Sequence, residues 1–268
     1  MGQNAYELAS SRAVPPHMPL ANSGGTAGRR HRPGLRPRQI VRLSTGSAQA
    51  VQAAGTDSPA TVLARLGVQR PIATLVLIGG TDDLDADLAR RLQRLLGGVA
   101  AATVDDKVTI VSGGTAAGVL ALFGSGLEDR KPTAPVIGIV PAGKVDLNPS
   151  AHRAEDDKAV LEPHHTHFVL VDGNHWGDET PMLLGIVREL ARQSPAVVLL
   201  ASGGDIARQE LEGLLAAGIR VIVLRGSGRL ADEVATSGAG GPFDVVDLDA
   251  TPGELRRRIN DVLAAGPG

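Results

Sequence analysis

The chain has 268 residues, a net charge of −2 at pH 7 and 43% hydrophobic residues, enough for one large or two small domains with a real core. Aromatic residues make up only 2%, so the stacking platforms of single-strand nucleic-acid binders are missing, and the lack of cysteine excludes disulfides, thiolate metal sites and cysteine catalysis. No apolar run approaches about 18 residues, so no membrane span is expected, and the composition fits a cytoplasmic protein.

Residues 1–38 hold Pro15, Pro16, Pro19, Pro33 and Pro37 and the basic run Arg29-Arg30-His31-Arg32, with no sustained hydrophobic period. They read as a disordered tail, without the continuous apolar segment of a secretory signal. Residues 39–268 repeat one unit, a β-rich run, a glycine or polar turn, and a stretch with apolar residues three and four apart. That alternation predicts an α/β domain of the Rossmann-like, doubly wound type, with a mostly parallel sheet and helices on both faces. Strands are expected near 39–44, 71–78, 107–112, 135–140, 167–172, 196–201, 219–224 and 243–247. Helices are expected near 58–66, 83–102, 116–127, 178–193, 205–217, 228–236 and 252–264. The longest helix carries Leu84, Leu88, Leu92, Leu95 and Leu96 as one stripe, and Pro252 after Thr251 marks a helix start. Between them, 141–166 lacks a period and carries a charge run, as a functional loop or a solvated face would.

Four strands end in glycine or small polar turns, and in a doubly wound sheet such turns gather at the carboxyl edge, where ligands bind. They supply Gly79 and Gly80, then Gly113, Gly114 and Thr115, then Gly203 and Gly204, and last Gly226, Ser227, Gly228 and Arg229. Glycines allow positive φ and close backbone approach, and a helix N-terminus beyond them attracts phosphate. Arg229 suits a diphosphate by bidentate bonding, the plainer reading being a surface pair with Asp232. His164, His165, His167 and His175 cluster around one strand, but their spacing does not converge on a metal, and no metal site is expected. Asp172, Asn174 and His175 stand at the ligand edge, where they could meet a ribose or base. No GKS/T phosphate loop and no G-x-G-x-x-G opening is present, which disfavours ATP hydrolysis and the usual nicotinamide fold.

The ordered stretches SGGTAAGV (112–119), IGIVPAG (137–143), LEPHHTHFVLVDGNHWGDE (161–179), VVLLASGGD (197–205) and VLRGSGRLADEVA (223–235) resemble the SLOG domain of TRPM-type cation channels and its stand-alone prokaryotic relatives. The resemblance implies a Rossmann-like fold that takes a nucleotide-derived ligand of the ADP-ribose, AMP or NAD-derived class. It implies that Gly113, Gly114, Thr115, Gly118 and Val119 line the ligand, with Gly203-Gly204 and Gly226 to Arg229 on phosphates. There are departures: Pro181 is followed by Met182, Leu183 and Leu184 where the channels often carry arginines. The sister phosphoribohydrolases use a PGGxGTxxE motif, against which this chain reads Ser202-Gly203-Gly204-Asp205-Ile206-Ala207-Arg208-Gln209-Glu210. Glu210 is thereby the candidate catalytic carboxylate, with Asp205 and Glu179 behind it. Because the GT pair is replaced, a binding module or sensor is favoured over a hydrolase of an N-glycosidic bond. A nucleotide ligand is expected, with no required cofactor, no nucleic-acid or membrane partner, and homo-oligomerisation left open.

Overall fold

Strands and helices alternate along the chain as the hydrophobic periods require. The computed structural model describes residues 37–81, 84–147, 158–237 and 243–266. Of the expected tail, residues 1–36 lie outside the described residues, as does most of the charge run between 141 and 166. In order come β1 (Gln39–Leu43), β2 (Gly46–Ala53), α1 (Pro59–Leu66), β3 (Thr74–Gly79), α2 (Ala86–Asp105), β4 (Thr109–Ser112), α3 (Gly118–Ser125), β5 (Val136–Pro141), β6 (Val145–Asp146), β7 (Ala159–Val160), β8 (His167–Val171), α4 (Thr180–Ala191), β9 (Ala196–Ala201), α5 (Asp205–Leu215), β10 (Arg220–Arg225), α6 (Arg229–Ser237), β11 (Phe243–Asp247) and α7 (Pro252–Ala265).

Nine strands form one sheet in the order β1-β2-β8-β5-β4-β3-β9-β10-β11, and β6 pairs with β7 apart from it. Every pairing in the large sheet is parallel except β1 with β2. Residues 74–78 of β3 and 197–201 of β9 are buried without a break, as expected of parallel strands covered on both faces. One apolar cluster joins the sheet to α1, α4, α5 and α6, and a second joins its other face to α2, α3 and α7. This is a Rossmann-like, doubly wound α/β fold.

Besides the short β6 and β7, which fall in the stretch 141–166 where no element was expected, two features depart from the expected elements. The first is β2, for which no strand was expected because GSAQAVQA offers a single β-branched residue. Its Ala50 and Ala53 pair with Phe168 and Val171 of β8, so small side chains let β2 lie against a neighbour already buried. The second is the start of α2, which begins at Ala86 rather than 83. Asp85 Oδ1 accepts the N–H groups of Asp87 and Leu88, both at 3.0 Å, and so fixes the first turn. Ser58 caps α1, and Thr251 with Glu254 forms a capping box on α7. By contrast α3, α4 and α5 have no side-chain cap. All three begin around the same cleft.

Candidate ligand cleft at the carboxyl edge

From β3 the chain winds outward through β4, β5 and β8, and then returns to β9 on the other side of β3. The turns after β3 and β9 therefore diverge, and a crevice opens between them at the carboxyl edge. It is a cleft of about 460 Å³, within the range of sites for small molecules. Six segments wall it: Gly79 to Thr81 at the end of β3, Gly113, Thr115 and Ala117 after β4, Ala159 of β7, Trp176 and Glu179 before α4, Gly204 to Ala207 with Glu210 on α5, and Arg229.

Several of the sequence candidates converge here, namely Gly79, Gly80, Gly113, Thr115, Gly204, Glu210 and Arg229. Gly114, Gly118 and Val119 form the layer beneath. Gly114, at φ +63°, is pressed against Gly138 and Phe168, and its N–H donates to Ser112 Oγ at 3.1 Å. Gly118, at φ +47°, sits so close to the Gly80 carbonyl that no Cβ would fit, and the Val119 N–H donates to that carbonyl at 3.0 Å. The first turn of α3 is thus already occupied by protein.

The Gly226-Ser227-Gly228 turn lies outside the cleft lining, and its donors are engaged. Asp232 accepts the Gly226 N–H at 2.6 Å and the Gly228 N–H at 3.1 Å, while the buried Ser227 hydroxyl donates to the Leu224 carbonyl and accepts the Ser202 N–H. Asp232 therefore caps the turn instead of simply pairing with Arg229. Gly203, at φ +109°, is packed against Ala207 and Leu230, and its carbonyl accepts the Leu230 N–H. Asp172, Asn174 and His175 do not line the cleft either. Gln52 Nε2 donates to Asp172, and Asp178 Oδ2 accepts the N–H groups of Asn174 and His175.

At α5 the donors are open instead. Gly204 provides no side-chain cap, and the N–H groups of Asp205, Ile206 and Ala207 find no acceptor among the described residues. The Arg229 guanidinium lies over Gly204, where an added Cβ would touch it at 3.0 Å. Arg229 reaches that position from a left-handed backbone, φ +52°, and Ser202 at the end of β9 is left-handed as well, φ +55°. Non-glycine residues hold that conformation only at a cost, and two of them flank the α5 N-terminus. The α5 N-terminus and the Arg229 guanidinium thus meet in one corner of the cleft, beside the Asp205 carboxylate in the first turn of α5.

An acidic wall stands in the same cleft. Glu210 is 8% exposed and has no hydrogen-bond partner among the described residues. Burial, with the charge of Glu179 added, pushes its carboxyl up to about 8. Burial raises Glu179 as well, against the hydrogen bond that its Oε2 accepts from the Gly177 N–H at 2.8 Å. Trp176 is 42% exposed at the rim. It was not among the candidates taken from the sequence. Its signal was there, as the single tryptophan of an aromatic-poor chain in the stretch that the family resemblance covers.

Below the glycine turn, Ser112, His165 and Glu162 form a buried chain. Ser112 Oγ lies 2.9 Å from His165 Nε2, and His165 Nδ1 lies 2.7 Å from Glu162 Oε2. The arrangement has the connectivity of a nucleophilic triad, but Ser112 is buried and absent from the cleft lining. Its hydroxyl accepts the Gly114 N–H, so the chain pins the turn in place. Burial alone would raise Glu162, but His165 and then His164 hydrogen bond to it and hold it below the usual carboxylate range. His164 and His165 are accounted for by this carboxylate, and no three metal-ligating side chains gather among the described residues.

The profile of the family described as "SLOG in TRPM, prokaryote" matches residues 72–255, more than half of the chain. No curated protein matches the sequence. Among solved structures, the X-ray structure of TM1055, a structural genomics target, is similar at 18% identity and a TM-score of 0.51. The likeness covers 71% of this chain and 99% of that one, and at this identity it shows a shared fold. No helix among the described residues is long and apolar enough to cross a membrane.

Proposed function

The chain belongs to the prokaryotic family of SLOG domains in TRPM, and from that premise we propose that its cleft binds a nucleotide-derived ligand of the ADP-ribose, AMP or NAD-derived class, as a cytoplasmic sensor. One observation carries this reading: the uncapped α5 N-terminus and the Arg229 guanidinium meet in one corner of the cleft. Oriented N–H donors and a planar cation together suit a phosphate or diphosphate. Trp176 at the rim offers a ring face to a base. The expected ligand is the nucleotide itself, with no separate cofactor required.

A second reading, hydrolysis of an N-glycosidic bond, is favoured by Glu210 alone. Its carboxyl holds its proton through neutral pH and faces the cleft, as a general acid for a departing base would. The test is a thermal shift panel of AMP, ADP-ribose and NAD on the full chain, with product analysis of each mixture. Ligand at a hundredfold its dissociation constant stabilises the fold by about 2.7 kcal/mol. No shift with any of the three removes the binding reading. Release of a base that stops in Glu210→Gln replaces the sensor by the enzyme.

A further inference from the structure

Trp176 lines the cleft from the turn between β8 and α4, and a side chain outside that lining holds the backbone of the turn. Asp178, which is exposed, uses one oxygen for two bonds: its Oδ2 accepts the Asn174 N–H at 2.9 Å and the His175 N–H at 3.0 Å. The same N–H groups, that of His175 first, hold its carboxyl below the usual carboxylate range. The base of the turn is seated separately. The Gly143 N–H donates to the Gly173 carbonyl at 2.9 Å, and Asp178 packs so closely on Gly173 that no Cβ would fit there. Directly after Trp176, the Gly177 N–H donates to Glu179. Trp176 therefore stands between two tied peptide groups. The Asn174 and His175 N–H groups lie at the surface, where water would take them if Asp178 released them, so their bonds shape the turn more than they stabilise the fold.

We propose that Asp178 is a positioning residue of the cleft: by gathering the Asn174 and His175 N–H groups it fixes the turn that carries Trp176, and so presents the indole at the rim before a ligand enters. Asn174 and His175 do not line the cleft, and they serve it through their backbone. An aromatic face set in advance spares the ligand the cost of ordering that side chain and its turn on binding.

For the ligand the inference rests on the nucleotide reading above, whereas the position of Trp176 is measured without one. The chain has a single tryptophan, so its fluorescence reports this turn alone. In the full chain, Asp178→Ala is expected to raise acrylamide quenching of Trp176 and lower its anisotropy, with the thermal midpoint moved by no more than about 4 °C. ADP-ribose binding should weaken about three- to tenfold. Asp178→Asn keeps an oxygen that can accept both N–H groups, and should hold quenching and affinity within about twofold of the wild type. An asparagine that behaves like alanine overturns the proposal, because the effect then comes from the charge of Asp178 beside Glu179. In a Trp176→Ala background, Asp178→Ala should cost no further affinity, and a full additional loss overturns the proposal as well. Unchanged quenching and anisotropy in Asp178→Ala overturn it outright and leave the nucleotide reading standing. A wild type that binds no nucleotide, with Trp176 loosened only in Asp178→Ala, overturns the nucleotide reading and leaves Asp178 as the residue that sets the rim.

Discussion

Two buried glutamates of this protein face opposite fates. Glu162, 1% exposed, receives hydrogen bonds from His165 Nδ1 and from both the N–H and Nδ1 of His164, and stays charged. Glu210 receives none and keeps its proton. Burial penalises both carboxylates alike, and only the surrounding donors separate them. Glu162 belongs to the framework, tying the segment after β7 to the glycine turn after β4. Glu210 belongs to the cleft, which it lines from the second turn of α5.

The largest effect should come from breaking the satisfied member. Glu162→Ala leaves three donors in the core without an acceptor and is expected to cost about 3–5 kcal/mol in urea unfolding. Because Glu162 is held below its ordinary range, the stability it contributes is present above that range and is lost as pH falls through its lowered value. The acid limb of the stability curve should shift in the variant.

Glu210 has the opposite sign. Its raised carboxyl means that the folded state binds a proton that the unfolded chain releases between about 4.5 and 8. Stability from this group is full below that window and falls as pH rises through it, by about 3 kcal/mol at pH 7. Glu210→Gln should flatten this decline between pH 5 and 8. Identical slopes for wild type and variant would show that the two glutamates do not differ as described.

Smaller effects test the corner of Arg229 and the α5 N-terminus against the engaged turn beside it. Arg229→Ala is expected to weaken ADP-ribose binding by about 1.5–3 kcal/mol in calorimetric titration, the range for hydrogen bonds to charged groups. Ser227→Ala removes a hydroxyl that serves only the protein and should cost about 1 kcal/mol of stability, with affinity unchanged within about twofold. A large affinity loss in Ser227→Ala with none in Arg229→Ala would put the phosphates in the wrong turn.

The sequence by itself determined the architecture. Continuous apolar runs, glycine turns and 3.6-residue stripes each reflect local geometry, so they located seven helices and eight of the strands to within a few residues, and the order of motifs pointed to the family. It did not reveal the short β6 and β7, nor β2, whose alanines carry little preference of their own and become a strand by pairing with β8. Nor did it sort one glycine turn from another. SGG and GSG look alike as sequence, but Asp232 folds back on one, and among the described residues no side chain caps the helix after the other. Whether a donor is open depends on which distant groups reach it, as Gly80 reaches Val119 and Ser112 reaches Gly114. The same holds for the carboxyls: Glu162, Glu179 and Glu210 are one residue type, and only the tertiary structure, by placing histidines at one and the cleft at the others, decided which is held in the framework and which lines the cleft.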